Sequence, residues 1–390
     1  MKKAFAWVFV ATLLAACDDV AGPSGEAEFQ AVRTGQDQIV VMTRNLFVGA
    51  AVEDVFDVSS PEQIPLKVAE MWAAVQATDF EARAAAFAEE VSRFNPHLIG
   101  LQEVTTFYKQ TPSDFDPEAF NPGTLASDVQ LDFLQVYMDA LTAAGLQYDV
   151  VAVAPHFTAE VPMLDIPDAC GSHLYCLSDM RLQDFDVILA RLDVDYDASS
   201  VVEANFPKEL TLVMPPIGLP LPRGWASVDA TVAGIDFRFA VTHLEPPDQN
   251  GVVVPELEQL QRAQAGYLQT QLLGAGLPVI LLGDLNTDAY GQSTATYGDF
   301  MASGWTDAWG NRLQGHTCCQ TEDLLTWPSI LDRRVDLILM NGDFGLGPRG
   351  FEGGVQAWIV GSKGSDRTAD GLWPSDHAGV VATLRPHPSD

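Results

Sequence analysis

The sequence predicts a mixed α/β domain in which packed sheets are flanked by helices. Three observations carry this. Short apolar runs alternate along the chain with stretches of helical periodicity. Two of the runs, 225–232 and 236–242, are separated only by Ala233-Gly234-Ile235 and read as an antiparallel hairpin, so the sheets are not all parallel. Apolar residues make up 47% of the 390, ample for a large core and too many for a disordered chain.

The elements follow in order. Lys2 and Lys3 precede an apolar run from Ala4 to Leu14 that is too short to span a bilayer. It ends in Leu14-Ala15-Ala16-Cys17, which resembles a bacterial lipobox. Residues 1–16 are therefore expected to be a lipoprotein signal peptide, and lipidated Cys17 a membrane anchor on an exported protein. An ordinary cleaved signal peptide is the plainer alternative. Residues 17–37, rich in Asp, Glu, Gly and Ala, read as a flexible tether. The folded domain is expected over 38–386.

Val40-Val41-Met42 is a buried strand leading into Thr43-Arg44-Asn45. Residues 62–76 have helical spacing. Thr78 with Glu81 forms a capping-box pattern that opens a second helix, which stops before Pro96. His97–Leu101 is a short strand ending at Gln102-Glu103, and a third helix is expected from Ser127 to Gly145. Strands follow at 148–154, 185–192 and 209–214, then the hairpin. The Pro-rich stretch 214–225 reads as a packed surface loop, with a lid or membrane-touching loop as the alternative. A helix over 255–273, a strand Val279–Leu282, a short helix near 294–303 and strands Val335–Met340 and Val380–Leu384 complete the domain.

The formal net charge is −32. Such a surface repels polyanions, because nucleic-acid binding needs Lys and Arg to displace counterions from phosphates. It attracts divalent cations and suits an extracytoplasmic protein. Beyond Cys17 the cysteines are Cys170, Cys176, Cys318 and Cys319. Export implies disulfides, and three pairings are open. The spacing lacks the Cys-x-x-Cys pairs of a Cys₄ zinc site.

Polar residues gather at strand ends: Asn45, Glu103, His243, Asp284 with Asn286, Asp336, and Asp376 with His377. Buried there unpaired they would be costly, so they need partners or a ligand. Each has a plain reading alone. Asn45 could be a strand-end cap, Gly283-Asp284 a turn, Asp336 a salt bridge to Arg333 or Arg334, and Asp376-His377 a chance pair. His97, His156, His173 and His316 lack such context and read as surface, packing or loop residues.

As an ordered set, an Asn on the first strand, Gln102-Glu103, Thr242-His243, Gly283-Asp284-Leu285-Asn286, Arg334-Val335-Asp336 and Ser375-Asp376-His377 resemble the motifs of the endonuclease/exonuclease/phosphatase superfamily. The resemblance spans about 38–386. It implies a four-layer αββα sandwich of two mostly antiparallel sheets with helices outside. It also implies a metal-dependent hydrolase of phosphoesters using Mg²⁺, or Mn²⁺. Glu103 would be the best metal ligand, since a hard carboxylate suits Mg²⁺, with Asn45 and Asp376 as further metal or water contacts. His377 would deprotonate the attacking water and Asp336 would hold its ring. His243 would contact a phosphate oxygen or help the leaving group, Asp284 would orient the nucleophile or assist proton transfer, and Asn286 would donate to the phosphate. One departure is Ala190 in Ile188-Leu189-Ala190-Arg191, where many members carry Ser before Arg. The charge favours a small or lipid phosphoester over nucleic acid, handled by a monomer.

Overall fold

Alternating burial along β1 shows how the layers are built. Ile39 and Val41 enter a core shared by two sheets, while Val40 and Met42 enter a second core roofed by helices, as the two-residue period of a strand dictates. The structure is a computed structural model. It describes residues 38–385 apart from 57, 117–119, 166–175, 215–218, 250–251, 292–293, 311–314 and 345–353. The expected signal peptide and tether therefore lie outside the described residues, as do Cys170 and His173.

Strands β1 (Ile39–Asn45), β2 (Leu98–Gln110), β3 (Asp128–Asp132), β4 (Tyr148–Asp165), β5 (Cys176–Arg191), β16 (Val355–Val360) and β17 (Gly379–Leu384) form a seven-stranded sheet. Its order is β16-β17-β1-β2-β5-β4, with β3 attached to β2. The second sheet has six strands. They are β6 (Asp195–Asn205), β9 (Gly224–Val232), β10 (Ile235–His243), β13 (Val279–Asp284), β14 (Thr306–Asp307) and β15 (Asp336–Asn341), in the order β14-β15-β13-β10-β9-β6. Two small ribbons pair β7 (Leu212–Met214) with β8 (Leu219–Leu221), and β11 (Asp248–Gln249) with β12 (Val252–Val253). Each large sheet has one parallel pair, β1–β2 and β10–β13, and is otherwise antiparallel.

Helices α1 (Ile64–Ala77), α2 (Phe80–Phe94) and α3 (Phe133–Ala143) cover the outer face of the first sheet. Helices α4 (Pro255–Leu272) and α5 (Thr296–Ala302) cover the second. This is the sandwich that the resemblance implied. Among the described residues no helix is long and apolar enough to cross a membrane.

Several boundaries differ from expectation. Asp79, not Thr78, caps α2, its carboxylate accepting from Ala82 N at 3.1 Å. β2 does not stop at Glu103 but continues to Gln110. The stretch from Ser127 opens with β3, and α3 starts only after Asp132, whose side chain is the true cap. β4 and β5 are far longer than read, and β6 and β16 were not foreseen. The Pro-rich stretch is not a plain loop: β7 and β8 pair as an antiparallel ribbon, and residues 215–218 lie outside the described residues.

His97 is a buried packing residue that joins β1 to β2. Val40 N donates to its Nδ1 at 3.0 Å, and its own N–H donates to Val40 O at 2.8 Å. Burial, with help from Arg191, pulls its pKa down to about 4. A depressed pKa favours the neutral native ring, so this stability is complete above the ordinary value near 6.5 and is lost as pH falls through 4. The amount is on the order of 3 kcal/mol. His97→Asn keeps an acceptor near the Nδ1 position and does not titrate. Urea unfolding across pH 4–6.5 is expected to show a loss smaller by about that amount in the variant; an unchanged slope would contradict this role.

Candidate active site

The alternation that builds the cores also aims the polar strand ends. In β10, Phe237, Phe239 and Val241 face the core between the sheets; in β13, Ile280 and Leu282 do; in β15, Ile338 and Met340 do. Steps of two residues then bring His243, Asp284 and Asp336 to the same side. They lie abreast, since His243 pairs with Asp284 and Asp284 with Asp336 in the strand register. Gly283 has φ +147°, and a Cβ there would overlap Thr242 O; only glycine fits beside β10. On the first sheet the same count turns Arg44 toward α2 and Asn45 inward.

Glu103 arrives by a different device. Leu101 pairs with Val187 and Val104 with Phe185, so Gln102 and Glu103 together oppose Asp186. This is a bulge, and Glu103 takes φ +56°. Uninterrupted alternation would put its side chain on the helix side with Leu101.

The groups meet closely. Asn45 Nδ2 donates to Glu103 Oε1 at 2.9 Å and to Asp284 Oδ2 at 3.2 Å, while Asn45 Oδ1 accepts from Phe47 N at 2.9 Å. Val48 N donates to Glu103 Oε2 at 2.9 Å. His377 Nδ1 lies 2.8 Å from Asp336 Oδ2, and its Nε2 lies 3.7 Å from Asp284 Oδ2. His243 Nε2 is 3.5 Å from the same Asp284 oxygen. Asn286 N donates to Asp284 Oδ1 at 2.9 Å, and its side-chain amide donates to Leu244 O at 3.0 Å. Ser375 donates to Asp376 Oδ1 at 3.2 Å. Every residue singled out at a strand end is thus brought to this cleft. Asp336 does not serve Arg333 or Arg334: Arg334 pairs with Asp307 at 2.5 Å and Arg333 with Asp332 at 3.5 Å.

Electrostatics favour a cation here. Burial and the nearby Asp376 push the Glu103 pKa up to about 8. Burial also raises Asp284, to about 6, and Asp376. For His377 burial opposes charge, but Asp336, Asp284 and Asp376 outweigh it and raise the pKa well above the usual value. For His243 burial dominates, helped by Arg223, and holds the ring neutral. Buried carboxylates that disfavour one another's charge are a donor set suited to a hard divalent ion. Asp284, Asp336 and His377 also present ligand atoms within 4.8 Å of one another.

Sequence reasoning missed the groups that brace the cleft. Arg44, fully buried, pairs with Glu90 of α2 at 3.1 Å and donates to His377 O. Arg83 of α2 donates to Thr78 O (2.9 Å), Leu46 O (2.6 Å), Pro374 O (3.1 Å) and Phe47 O (3.1 Å). It ties the turn after β1 to the Trp373–His377 segment. Thr317 Oγ1 accepts from Val335 N and Asp336 N, both at 3.1 Å. His156 was read as a surface, packing or loop residue. It is buried between Asp184 and Asp186 at 3.4 and 3.1 Å, and these carboxylates outweigh burial to push its pKa up to about 9. The available signal was Asp184-Phe185-Asp186, two acids on one face of a strand. Ala190-Arg191 is not a site contact at all. Arg191 lies opposite the start of β2, on Asn95 O at 2.5 Å and Asp193.

The comparisons follow this geometry. A model of the Endonuclease/Exonuclease/phosphatase family matches residues 71–377. A sequence comparison with curated proteins finds no match. Among solved structures, TDP2 from C. elegans is 15% identical over 89% of this chain and 75% of that one, with a TM-score of 0.44. D. rerio TDP2 complexed with a single strand DNA product is 15% identical over 89% and 98%, with a TM-score of 0.48. A mannosyl-6-phosphatase of Bacteroides thetaiotaomicron is 16% identical over 88% and 98%, with a TM-score of 0.44.

Arg83→Met keeps the bulk of the side chain but orphans four buried carbonyls. It is expected to cost at least about 3 kcal/mol in urea unfolding. A loss below about 1 kcal/mol would contradict its role as the clasp of this cleft.

Proposed function

The chain belongs to the endonuclease/exonuclease/phosphatase family, and on that premise we propose that it is a divalent-metal-dependent hydrolase of phosphoester bonds. The observation that carries the reading is the His377–Asp336 hydrogen bond of 2.8 Å, with the other imidazole nitrogen facing Asp284. An imidazole held on one side by a carboxylate keeps its opposite nitrogen free for a proton.

Each side chain then has a part. With a cation's charge offsetting the carboxylates that raise its affinity for protons, His377 Nε2 would take the proton of the attacking water, and Asp336 would hold the ring and stabilise the imidazolium that results. Asp284, between the two imidazoles, orients that water. His243 stays neutral and donates to a phosphoryl oxygen. Asn286 spends one amide N–H on Leu244 O and has a second for the phosphate. Glu103 and Asp376 would hold the cation. Asn45 bridges Glu103 and Asp284 through its amide nitrogen, so it positions the carboxylates as much as it offers an oxygen. When bound, Mg²⁺ or Mn²⁺ supplies positive charge against the charge that builds on the phosphoryl oxygens.

A small or lipid phosphoester is the preferred substrate class. The net charge of −32 opposes a polyanion, and the arginines that brace the site are committed: Arg44 to Glu90, Arg223 to Glu245, Arg334 to Asp307 and Arg83 to carbonyls. The lipobox-like Leu14-Ala15-Ala16-Cys17 supports export and anchoring through Cys17.

Release of nitrophenol from bis-p-nitrophenyl phosphate with Mg²⁺ or Mn²⁺ is the direct test. EDTA should abolish it. Glu103→Ala and His377→Ala should lower kcat/KM by roughly 10²–10⁴-fold, and Asp336→Asn by a similar factor with its melting curve intact. Absence of turnover, or turnover unchanged in these variants, would make the protein a catalytically silent binding lipoprotein. Steeply salt-dependent cleavage of plasmid DNA, faster than cleavage of lipid or small phosphoesters, would make it a nuclease.

A further inference from the structure

The segment that leads into β15 brings two cysteines to the catalytic imidazole. Thr317 O accepts from Ala378 N at 2.7 Å, and Gln320 N donates to Asp376 O at 2.8 Å. These bonds flank His377 on either side and pin Cys318 and Cys319 against it. The two sulfurs are joined as a vicinal disulfide. Cys319 Sγ lies 4.0 Å from His377 Nε2, the nitrogen that Asp336 leaves free. Ligand atoms of Cys318, Cys319 and His377 lie within 4.8 Å of one another. Arg333 Nη2 stands 3.7 Å from one sulfur and 3.6 Å from the other, a cation that offsets negative charge on sulfur. Cys318 is buried and Cys319 half-buried.

Two thiolates and an imidazole are a soft, closely spaced donor set. Zinc bonds of about 2.3 Å to sulfur and 2.0 Å to nitrogen put tetrahedral ligand atoms roughly 3.5–3.8 Å apart. Cys319 Sγ and His377 Nε2, 4.0 Å apart, are near that value, and breaking the disulfide frees the two sulfurs to separate to it. Mg²⁺ prefers oxygen and octahedral geometry, so it does not compete for these sulfurs.

We propose that reduction of Cys318–Cys319 creates an inhibitory site for a thiophilic divalent cation of the zinc class, held by both thiolates and His377 Nε2. The reductant is a dithiol. It gives two electrons and two protons and becomes a disulfide, while the Cys318–Cys319 bond breaks to leave two S–H groups. Binding of the cation releases those two protons and, from the protonated ring, the Nε2 proton as well. It also occupies the Nε2 lone pair that would accept a proton from water, so the oxidised enzyme works and the reduced, zinc-loaded enzyme does not. The inhibition rests on the role of His377 proposed above; the binding does not.

The test uses the full chain reduced with a phosphine, freed of reductant without air and titrated with Co²⁺ as the spectroscopic probe. Reduced protein should show a near-ultraviolet thiolate-to-cobalt band that saturates at one ion per chain. Oxidised protein and Cys319→Ser, a mild change at a half-buried position, should lack it. Mg²⁺-dependent turnover of the reduced protein should fall at least about tenfold with one equivalent of Zn²⁺. Oxidised protein and Cys319→Ser should stay within about twofold. No sulfur band in the reduced protein, or an undiminished band in Cys319→Ser, would overturn the site. A band without loss of turnover would overturn the inhibition. Should no phosphoester be cleaved at all, the cobalt band still decides the binding.

Discussion

Gly100 of β2 lies so near β13 that a Cβ on it would overlap the Leu282 side chain, with Val241 of β10 close by. This direct approach of the two sheets is the constraint on which the site depends. Leu282 fills the space that a side chain at position 100 would need, so the sheets lock by their apolar faces and the polar strand ends of both come together. Asn45 and Glu103 reach it from one sheet, and His243, Asp284 and Asp336 from the other. A slip of one residue in any of these strands would turn its polar end to the helix side. Fold and chemistry therefore share one register.

The same arrangement explains why so much charge is buried. Arg44 and Arg83 spend their donors on Glu90 and on backbone carbonyls around the cleft rather than on a ligand. They fix the loops that carry Asn45 and Asp376-His377. That bracing leaves the carboxylates of Glu103, Asp284 and Asp376 facing one another with raised pKa values. Such a cluster of buried carboxylates is a donor set suited to a divalent cation.

Much of this was legible in the sequence, because alternation and strand-end polarity are local properties. Val40-Val41-Met42 before Asn45 and Val279–Leu282 before Asp284 announce both a strand and the residue at its mouth. The parts that escaped depend on partners remote in the chain. Nothing near Arg83 tells that it will hold Pro374 O, and nothing near His156 tells that Asp184 and Asp186 will enclose it. β2 seemed to end at Glu103 because a bulge there breaks the apolar pattern, and the strand resumes with Val104. β3 reads as part of a helix since its polar Asp128 and Gln130, exposed, satisfy a helix-start pattern as readily as an edge strand. Ala190-Arg191 stands where many members carry Ser-Arg, yet its place at the far end of β5 is a matter of strand direction, which a motif does not carry.

The claim that residues from both sheets surround one cation is tested most directly by anomalous diffraction from crystals soaked in Mn²⁺. The account predicts a peak about 2–2.5 Å from carboxylate oxygens of Glu103 and Asp376, lost in crystals of Glu103→Gln. An occupied ion elsewhere with none in this cleft, or a peak that survives in Glu103→Gln, would contradict it.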